Sequence, residues 1–543
     1  MRDSAQSTQW IRKIGADLPT RDALLLALQE QHTRNDALVA ERDQAVDAVD
    51  KKSEVIASQQ KRIRQLEEYL RLAQQKRFGS SSEKNVLQGD LFNEAELLVD
   101  GQGDDSDQLE ENAEQNKPKK KGGGRKGLSA SLQRIQQFHC LSEEQKAGAI
   151  DTFFEKTKEE LDIIPAKAQV IEHMQEKAVF ADADGKRTLV TAEKAPHPLG
   201  KAIASISLLV FIIISKYADG LPLYRLEGIL KRYGGEITRT TMANWLIRLC
   251  TELQPVVNLL EEHLLASQYI QCDETTVKVL KEPGMIPTGK KYMWVMRGGP
   301  PGRSVVTFNY DKSRAGIVVE RLLAGTQCAY FQTDGYSAYD AICTAEGIVH
   351  LGCWDHVRRK FVEALSAAPK KGKSKNKKPS KAQVAIAKIG ALYAIEARMD
   401  KQQLDDDKRK AYRAQHSLPK LKALHEWLIE NESKIDKDSK TYGAISYALN
   451  QWPKIVRYCE HGALRISNIL AENTIRPFAV GRKAWLFADT PAGARASAIY
   501  YTLIETAKAN GIDPYDYLMF LIGNIAKADT VEAYEALMPW SMK

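Results

Sequence analysis

Apolar residues recur every seven positions in the N-terminal part of the chain. The repeat occupies Val49, Ile56, Ile63 and Leu70, and Leu66 lies at the second apolar position of the same heptad frame. Because residues 20–76 contain little Gly or Pro, this spacing predicts one long helix. We predict that residues 1–84 form a coiled-coil arm that pairs copies of the chain. A single amphipathic helix packed on its own chain is the alternative.

Residues 201–262 have the pattern of a helix-turn-helix region. Apolar positions at helical spacing end at Tyr233, Gly234 and Gly235 break the helix, and Thr238 can cap the next one. Three residues of that second helix would pack inward: Met242, Trp245 and Leu246. Four polar residues would face DNA: Arg239, Thr240, Thr241 and Asn244. An ordinary helical hairpin would give much the same pattern.

From residue 267 the pattern becomes that of strands and helices in alternation. Strands are predicted at 269–280, 291–297, 304–310, 328–333 and 348–353, and helices at 313–323, after Tyr336 and at 356–365. This βββαβαβα order is that of the ribonuclease H-like fold. Residues 263–366 are therefore predicted as the first part of such a catalytic core, 367–454 as an α-helical insertion, and 455–543 as its second part with C-terminal helices. The expected fold class is multidomain α/β.

Charge distribution adds a candidate linker. The 543 residues carry a net charge of +8, which favours nucleic acid only weakly. Ten acidic residues and no Lys or Arg lie between Asp90 and Glu114, and a Lys- and Gly-rich segment follows at once. We interpret residues 85–130 as a disordered charged linker. Within it, the Gly-flanked Arg125 and Lys126 could enter a DNA minor groove.

Cysteine content and hydropathy indicate the cellular compartment. The seven cysteines are scattered without a Cys-x-x-Cys pair, so reduced thiols are expected. The N-terminus has no apolar signal core, and the longest uncharged stretch, residues 202–215, is too short to span a bilayer. We expect a cytoplasmic protein with no membrane partner, associated with the nucleoid when it binds DNA.

Three carboxylates match the positions at which a ribonuclease H-like nuclease holds two divalent cations. Asp273 lies in the middle of the first strand, Asp334 ends the fourth, and Glu472 lies on a later helix. Hard cations such as Mg²⁺ or Mn²⁺ take oxygen ligands, so such acids are the expected residues. Glu274 and Asp340 are rival acids, but strand alternation should turn Glu274 to the opposite sheet face from Asp273.

At these residues the chain resembles the transposases of the insertion sequence 66 family, which are Asp-Asp-Glu enzymes. The resemblance covers nearly the whole chain, and the order of its motifs is specific. The motifs are Lys-Arg-Phe-Gly-Ser-Ser-Ser-Glu-Lys (76–84), Lys-Tyr-Ala-Asp-Gly-Leu-Pro-Leu-Tyr-Arg (216–225), Cys-Asp-Glu-Thr-Thr-Val-Lys-Val-Leu (272–280), Thr-Asp-Gly-Tyr-Ser-Ala-Tyr (333–339), Gly-Cys-Trp-Asp-His-Val-Arg-Arg-Lys-Phe (352–361), Gly-Arg-Lys-Ala-Trp-Leu-Phe (481–487) and Leu-Ile-Glu-Thr-Ala-Lys-Ala-Asn-Gly-Ile-Asp-Pro-Tyr (503–515).

The resemblance implies a leucine-zipper-like arm, a helix-turn-helix, a core split by an insertion, and Asp273, Asp334 and Glu472 as the catalytic and metal-binding triad. Further DNA contacts are expected from His356, Arg358, Arg359, Arg476, Arg482 and Lys483. Trp354 could stack on an unpaired base, although a buried core position is the stronger expectation.

Two departures from the family pattern stand out. Similar transposases carry a four-cysteine zinc segment, but residues 131–200 contain only Cys140, so we expect a degenerate segment and no zinc. Around Glu472 the family usually has Asp-Asn-Asn before the acid and Arg after it. This chain has Ser467, Asn468, Ile469 and Asn473 there.

The expected function is that of an insertion-sequence transposase, which binds terminal inverted repeats and cleaves and joins DNA strands. The expected partners are double-stranded DNA, a second copy of the chain in a homodimer or higher oligomer, and accessory proteins of the same element. The alternative function is a catalytically decayed, transposase-derived DNA-binding protein. The intact triad favours the enzyme, since a pure DNA-binding protein needs no such acids.

Overall fold

A computed structural model describes residues 21–78, 134–138, 140–146, 151, 153–156, 158, 167–181, 187–368 and 379–542. One expectation falls outside these residues: the charged linker at 85–130 with Arg125 and Lys126. Among the described residues, no helix is both long and apolar enough to cross a bilayer.

The described residues form a mixed α/β structure, as expected. The helices are α1 (Arg21–Phe78), α2 (Glu143–Lys146), α3 (Ile206–Ile213, continued by a π-helical turn), α4 (Leu223–Arg232), α5 (Arg239–Leu265), α6 (Gly316–Leu322), α7 (Ala338–Ala345), α8 (Trp354–Ala367), α9 (Lys381–Lys401), α10 (Asp406–Glu432), α11 (Lys440–Ile455), α12 (Ile469–Trp485), α13 (Pro491–Ala509), α14 (Pro514–Asn524) and α15 (Val531–Glu535). The strands are β1 (Lys177–Ala181), β2 (Arg187–Thr191), β3 (Tyr269–Val277), β4 (Lys291–Gly298), β5 (Val305–Asp311), β6 (Tyr330–Gln332) and β7 (Val349–Leu351).

These elements belong to two compact units. The first unit contains α1 and the helices of Trp354–Gly462, and the second runs up to Cys353 and resumes at Ala463. The helices predicted for the segment between the two stretches of the core are present as α9, α10 and α11.

A five-stranded sheet organises the second unit. Its strand order is β5-β4-β3-β6-β7, with β3, β4 and β5 antiparallel and with β6 and β7 parallel to β3. The strand and helix order predicted from the sequence is therefore observed. Residues on both faces are apolar because helices cover them, and the centre of β4 (Met293–Val295) has no exposed surface.

Helix α13 covers the edge strand β5. Thr502 and Thr506 accept hydrogen bonds from the backbone N–H groups of Phe308 and Val306 at 2.9 and 3.1 Å. Asn510 continues the series by accepting from Ser304 N at 3.0 Å and donating to Ser304 O at 2.8 Å. These contacts recur every four residues on α13 and every two residues along the β5 edge. Four helical residues and two strand residues span similar lengths, about 6 and 7 Å, so the same contact can repeat along the edge. The edge is thereby closed to pairing with another strand.

Helices α4 and α5 are joined by the predicted glycine turn, and their assignment as a DNA-binding helix-turn-helix stays a prediction. Gly234 lies in the connecting turn at φ +91°, and the Thr238 side chain accepts from Thr241 N at 3.2 Å to cap α5. The inward-facing residues predicted from the sequence are buried: Met242, Trp245 and Leu246. Helix α5 continues to Leu265, because its apolar face extends through Leu253, Leu260 and Leu264.

In the first unit, helix α1 is continuous over 58 residues, as the spacing predicts. Its heptad residues are solvent-exposed, at 64% for Val49, 53% for Ile56, 55% for Ile63, 52% for Leu66 and 57% for Leu70. A different face of α1 contacts its own unit. There Lys61 pairs with Asp438 at 2.6 Å, and Arg71 donates to Ala367 O at 2.9 Å.

A buried ion cluster ties α9 to α10 in the same unit. Arg413 donates to both oxygens of Glu396, at 2.9 and 2.6 Å, and Arg409 Nη2 donates to Glu396 Oε2 at 3.2 Å. The remaining Nη1 of Arg413 donates to the carbonyls of Tyr458 and His461, both at 2.8 Å. Arg413 is fully buried, and its guanidinium is held by carboxylate and carbonyl oxygens.

Candidate active site

Asp273 lies on β3 under the start of helix α12. It pairs with Val295 of β4 in the antiparallel ladder, and its carboxylate accepts a hydrogen bond from Glu274 N at 2.9 Å. Ile270 and Cys272, which precede it, have no exposed surface, so the strand fixes the acid's backbone firmly.

The register of the parallel strands brings Asp334 level with Asp273. Tyr269, Ile270 and Gln271 of β3 face Tyr330, Phe331 and Gln332 of β6. The same offset, continued by two residues beyond the end of β6, would set Asp334 beside Asp273. The Asp334 carboxylate accepts from Tyr336 N at 2.9 Å, which turns the chain after the strand and leaves the acid at the carboxyl edge of the sheet.

Glu472 comes to the same edge from helix α12. It lies in the first turn, where the unpaired N–H groups of a helix favour negative charge. Its Oε1 lies 4.0 Å from Sγ of Cys353, the residue two places beyond β7. Asn468, just before the helix, donates to Cys272 O at 2.8 Å and so attaches the helix start to β3. Thus Asn468, within the stretch that departs from the family pattern, contributes directly to holding this helix.

Negative charge predominates at this edge, where Arg314, with its Nη2 3.8 Å from Asp334 Oδ2, is a basic neighbour of the acids. The pKa of Asp273 is raised well above its usual range, first by burial and then by repulsion from Glu472, Glu274 and Asp334, against one backbone hydrogen bond that lowers it. Oxygen donors crowded in this way suit a hard divalent cation, which would remove the repulsion. Binding of the predicted metal ions by these acids stays a prediction.

The two rival acids have partners of their own. Glu274 accepts from Arg314 Nε and from the Tyr339 hydroxyl, each at 2.6 Å, on the face covered by α6 and α7. Asp340 pairs with His350 Nδ1 at 2.7 Å. Glu274 thus points away from α12, as strand alternation predicts, and both acids are held by neighbouring side chains.

The residues predicted to contact DNA differ in their surroundings. Arg239, Thr240 and Asn244 are exposed on the first turns of α5, whereas the Thr241 hydroxyl is bonded to Thr238 at 2.9 Å. Arg482 donates to the backbone and hydroxyl oxygens of Thr276 at the end of β3, and Lys483 is exposed. Arg476 is exposed on α12.

Three further predicted contacts lie on α8, in the first unit. Arg358 is buried at 5% exposure, and His356 and Arg359 are half-buried. Trp354 is fully buried, with Nε1 donating to Ile455 O at 2.7 Å, so the structure supports the core position for this ring rather than the stacking one. Contact with DNA by the basic residues stays a prediction.

Sequence reasoning overlooked Arg314 and the glutamines Gln271 and Gln332. Arg314 bridges Glu274 and Asp334, with its Nη2 3.8 Å from Asp334 Oδ2, and stacks 4.2 Å from the Tyr336 ring centroid. The glutamines each precede an acid by two residues, in Gln271-Cys272-Asp273 and Gln332-Thr333-Asp334. This repeated Gln-x-Asp pattern was a visible signal, because strand alternation puts each pair on one face.

Family models match most of the chain. The model described as Transposase IS66 family matches residues 201–496, and the IS66 C-terminal element matches residues 502–540. A third model, described as Transposase C of IS166 homeodomain, matches residues 65–136. That stretch includes the end of the predicted arm, the predicted linker and the start of the next predicted segment. The chain belongs to the IS66 family of transposases, a family whose members act on DNA.

Similar proteins occur in Sinorhizobium fredii. The uncharacterized protein y4qI is 31% identical, with the alignment covering 97% of this chain and 98% of that protein. The uncharacterized proteins y4hP and y4jD are 28% and 26% identical over 72% and 73% of this chain. Similarity to y4qI thus runs through both compact units.

Proposed function

We propose that this protein is an active transposase whose second unit is a ribonuclease H-like core that cleaves and joins DNA strands with Asp273, Asp334 and Glu472. The observation that carries the proposal is the β3–β6 register, whose offset, continued by two residues, would set Asp273 beside Asp334, while Glu472 lies in the first turn of α12. The order β5-β4-β3-β6-β7, with three antiparallel strands followed by two parallel ones, supports the fold assignment.

The roles of the three acids follow from their charge. Asp273, Asp334 and Glu472 would together hold Mg²⁺ or Mn²⁺, two ions per site, through carboxylate oxygens. Such ions, when bound, activate the attacking oxygen and stabilise the leaving one. The raised pKa of Asp273 means that metal binding has to displace a proton from this cluster at low pH, so metal affinity should rise with pH.

We further propose that α5 reads the terminal inverted repeats. Arg239 and Asn244 are exposed on the first turns, while Met242 and Trp245 are buried, and a recognition helix presents exposed polar residues of its first turns to a major groove. Replacing Arg239 or Asn244 with Ala should weaken binding to the terminal repeats by about 1–3 kcal/mol and leave binding to random DNA nearly unchanged. Equal losses on both DNAs would reduce the two residues to phosphate contacts.

The exposed heptad stripe of α1 supports a role in pairing two copies, as joining two transposon ends requires. Five apolar side chains more than half exposed on one helix are unusual for a surface without a partner. Light scattering of the full chain should give a dimer or larger. Charged substitutions at Ile56 and Ile63 should shift it toward monomer, and a wild type that stays monomeric with and without end DNA would refute this part.

The catalytic proposal is tested by cleavage of a duplex that carries a transposon end. Wild type should cleave it only with Mg²⁺ or Mn²⁺, whereas Asp273→Asn, Asp334→Asn and Glu472→Gln should bind the duplex but not cleave it. Asp489→Asn is the matched control, since this exposed acid beyond the end of α12 pairs with Lys281 instead.

Two outcomes would contradict the proposal. Substantial cleavage by Glu472→Gln would remove that residue from the triad. A wild type that binds ends tightly but does not cleave them, even with accessory proteins of the element added, would favour the decayed DNA-binding protein.

A further inference from the structure

Each strand acid follows a buried glutamine. Gln271 lies two residues before Asp273, and Gln332 lies two residues before Asp334, so each glutamine shares a sheet face with its acid. Gln271 and Gln332 are 2% and 0% exposed. They also face each other in the β3–β6 register. We call these two residues the glutamine pair.

The two side chains are joined to each other. Gln271 Nε2 donates to Gln332 Oε1 at 2.7 Å and to the Tyr269 hydroxyl at 2.8 Å. That hydroxyl in turn donates to Gln332 Oε1. The register of β3 against β6 is therefore held by side-chain hydrogen bonds as well as by backbone pairing. These side chains lie two residues before the acids.

Both glutamines also bind the chain that leads to Glu472. Gln271 Nε2 donates to Ser467 O at 3.1 Å, while its Oε1 accepts from Ala471 N at 3.3 Å. Gln332 Nε2 donates to Arg465 O at 3.0 Å. Gln271 thus contacts both the residue two places before α12 and the residue next to Glu472.

The chemistry of these contacts requires amides. Gln271 must donate toward Ser467 O and accept from Ala471 N, so only one orientation of its amide satisfies both. A carboxylate at this position could not donate, and it would add a negative charge beside Asp273. A hydrocarbon would leave Ser467 O and Ala471 N without this partner in a buried place.

We propose that the glutamine pair, joined through Tyr269, is the positioning element that sets where Glu472 lies relative to Asp273 and Asp334. The inference rests on the proposed function of those acids. It goes beyond it by assigning the geometry of the triad to residues that touch neither DNA nor metal. Side chains that orient metal ligands commonly change metal affinity by 10–100-fold when they are replaced.

The experiment measures binding of Mn²⁺ alone to the full-length protein by titration calorimetry, without DNA. Gln271→Met and Gln332→Met keep the side-chain volume and remove the hydrogen bonds. Each should weaken Mn²⁺ binding by about 10–100-fold. Tyr269→Phe removes one hydroxyl from the network and should give a smaller loss in the same direction.

Asn510→Leu is the matched control. Asn510 is also a buried amide that holds a helix to a strand, because it contacts both backbone groups of Ser304. It does so at β5, the far edge of the sheet from the acids. This variant should lower the melting temperature about as much as Gln271→Met does, yet bind Mn²⁺ like wild type. A purely structural role of the glutamine pair would make all these variants behave alike.

The outcomes separate this inference from the function on which it rests. Wild-type affinity in Gln271→Met and Gln332→Met, with binding lost in Asp273→Asn, would overturn the inference alone. A wild type that binds no Mn²⁺ would overturn both. If Gln271→Met does not fold, Gln332→Met and Tyr269→Phe decide the question by the same criterion.

Discussion

Two regions of this protein bury carboxylates in opposite ways. In the first unit, Glu396 is surrounded by Arg409 and Arg413, and each of its oxygens accepts a hydrogen bond from a guanidinium. At the sheet edge of the second unit, Asp273 has Glu472, Glu274 and Asp334 as its charged neighbours, and all of them raise its pKa. With Asp400, which accepts from Arg409 Nη1 at 2.5 Å, the first cluster has two basic and two acidic side chains and is neutral, whereas acids predominate around Asp273.

The difference teaches which cluster serves stability and which serves chemistry. Burial alone would lower the pKa of Arg413, but its bonds to Glu396 raise it, so the charged form is the stable one. A folded chain has no structural use for repelling acids on neighbouring strands, since they oppose folding. Such a site is retained where a ligand uses the charge. Four substitutions test the contrast.

The largest effect is expected from Arg413→Met in the neutral cluster. It leaves Glu396 buried with reduced compensation and frees the carbonyls of Tyr458 and His461, so the first unit should lose about 3–5 kcal/mol of stability. Hydrogen exchange in α9 and α10 would report the loss. The double variant Arg413→Met, Glu396→Leu removes both charges and should recover a large part of it. Wild-type protection in the single variant would contradict the assignment.

A smaller loss is expected from Glu274→Gln beside the charged cluster. The Glu274 side chain is 4% exposed and neutralised by Arg314, which is itself 38% exposed, so solvent compensates part of the change. We expect a loss of about 1–3 kcal/mol in chemical unfolding. A gain in stability would mean that Glu274 belongs with the repelling acids rather than with their structural support.

Asp273→Asn should have the opposite sign in metal-free protein. Because the folded pKa of Asp273 is raised, its contribution to stability is fully present below the unfolded pKa and is lost as pH rises through the folded value. Asn removes that loss, so the variant should melt a few degrees higher than wild type at neutral pH and the same at pH below about 4. Added Mg²⁺ should stabilise wild type and not the variant. A lower melting temperature for Asp273→Asn than for wild type at neutral pH would contradict the view that repulsion among these acids destabilises the metal-free protein.

The smallest effect is expected from Lys281→Ala. Lys281 pairs with Asp489 at 2.7 Å, but the side chains are 69% and 55% exposed. Exposed pairs contribute about 0–1 kcal/mol, and salt screens them. Thermal melts at low and high salt would measure this. A loss as large as that of Glu274→Gln would show that distance rather than burial sets the strength of these pairs.

Local pattern was enough to predict much of the architecture. Helix α1, the cap at Thr238, and the order of strands from Tyr269 to Leu351 all follow from spacing and turn residues, because those signals lie within a few residues of the element they specify. Element ends were less accurate. The first strand ends at Val277 rather than near 280, and α5 continues to Leu265, because packing against the rest of the unit extends or shortens an element.

The candidate acids could also be chosen from the sequence, since Asp273 and Asp334 stand out in apolar strands. Strand alternation alone was enough to set Glu274 apart from Asp273, because successive residues of a strand lie on opposite sheet faces. The structure was needed for Asp340, because no local sequence pattern pairs it with His350, whose Nδ1 lies 2.7 Å from the Asp340 carboxylate.

What the chain's residue order established is therefore the set of elements, the family and the acids available to it. The tertiary structure decided their relations: the β3–β6 register that levels Asp273 with Asp334, and the bonds from Gln271 to Ser467 and Ala471, almost 200 residues away. Helix and strand periods depend on neighbouring residues, whereas the pairing of side chains depends on which elements pack together. That is why the Gln-x-Asp repeat can be seen in the sequence, whereas the contacts of the two glutamines with the chain before Glu472 are known only from the packing of β3, β6 and α12.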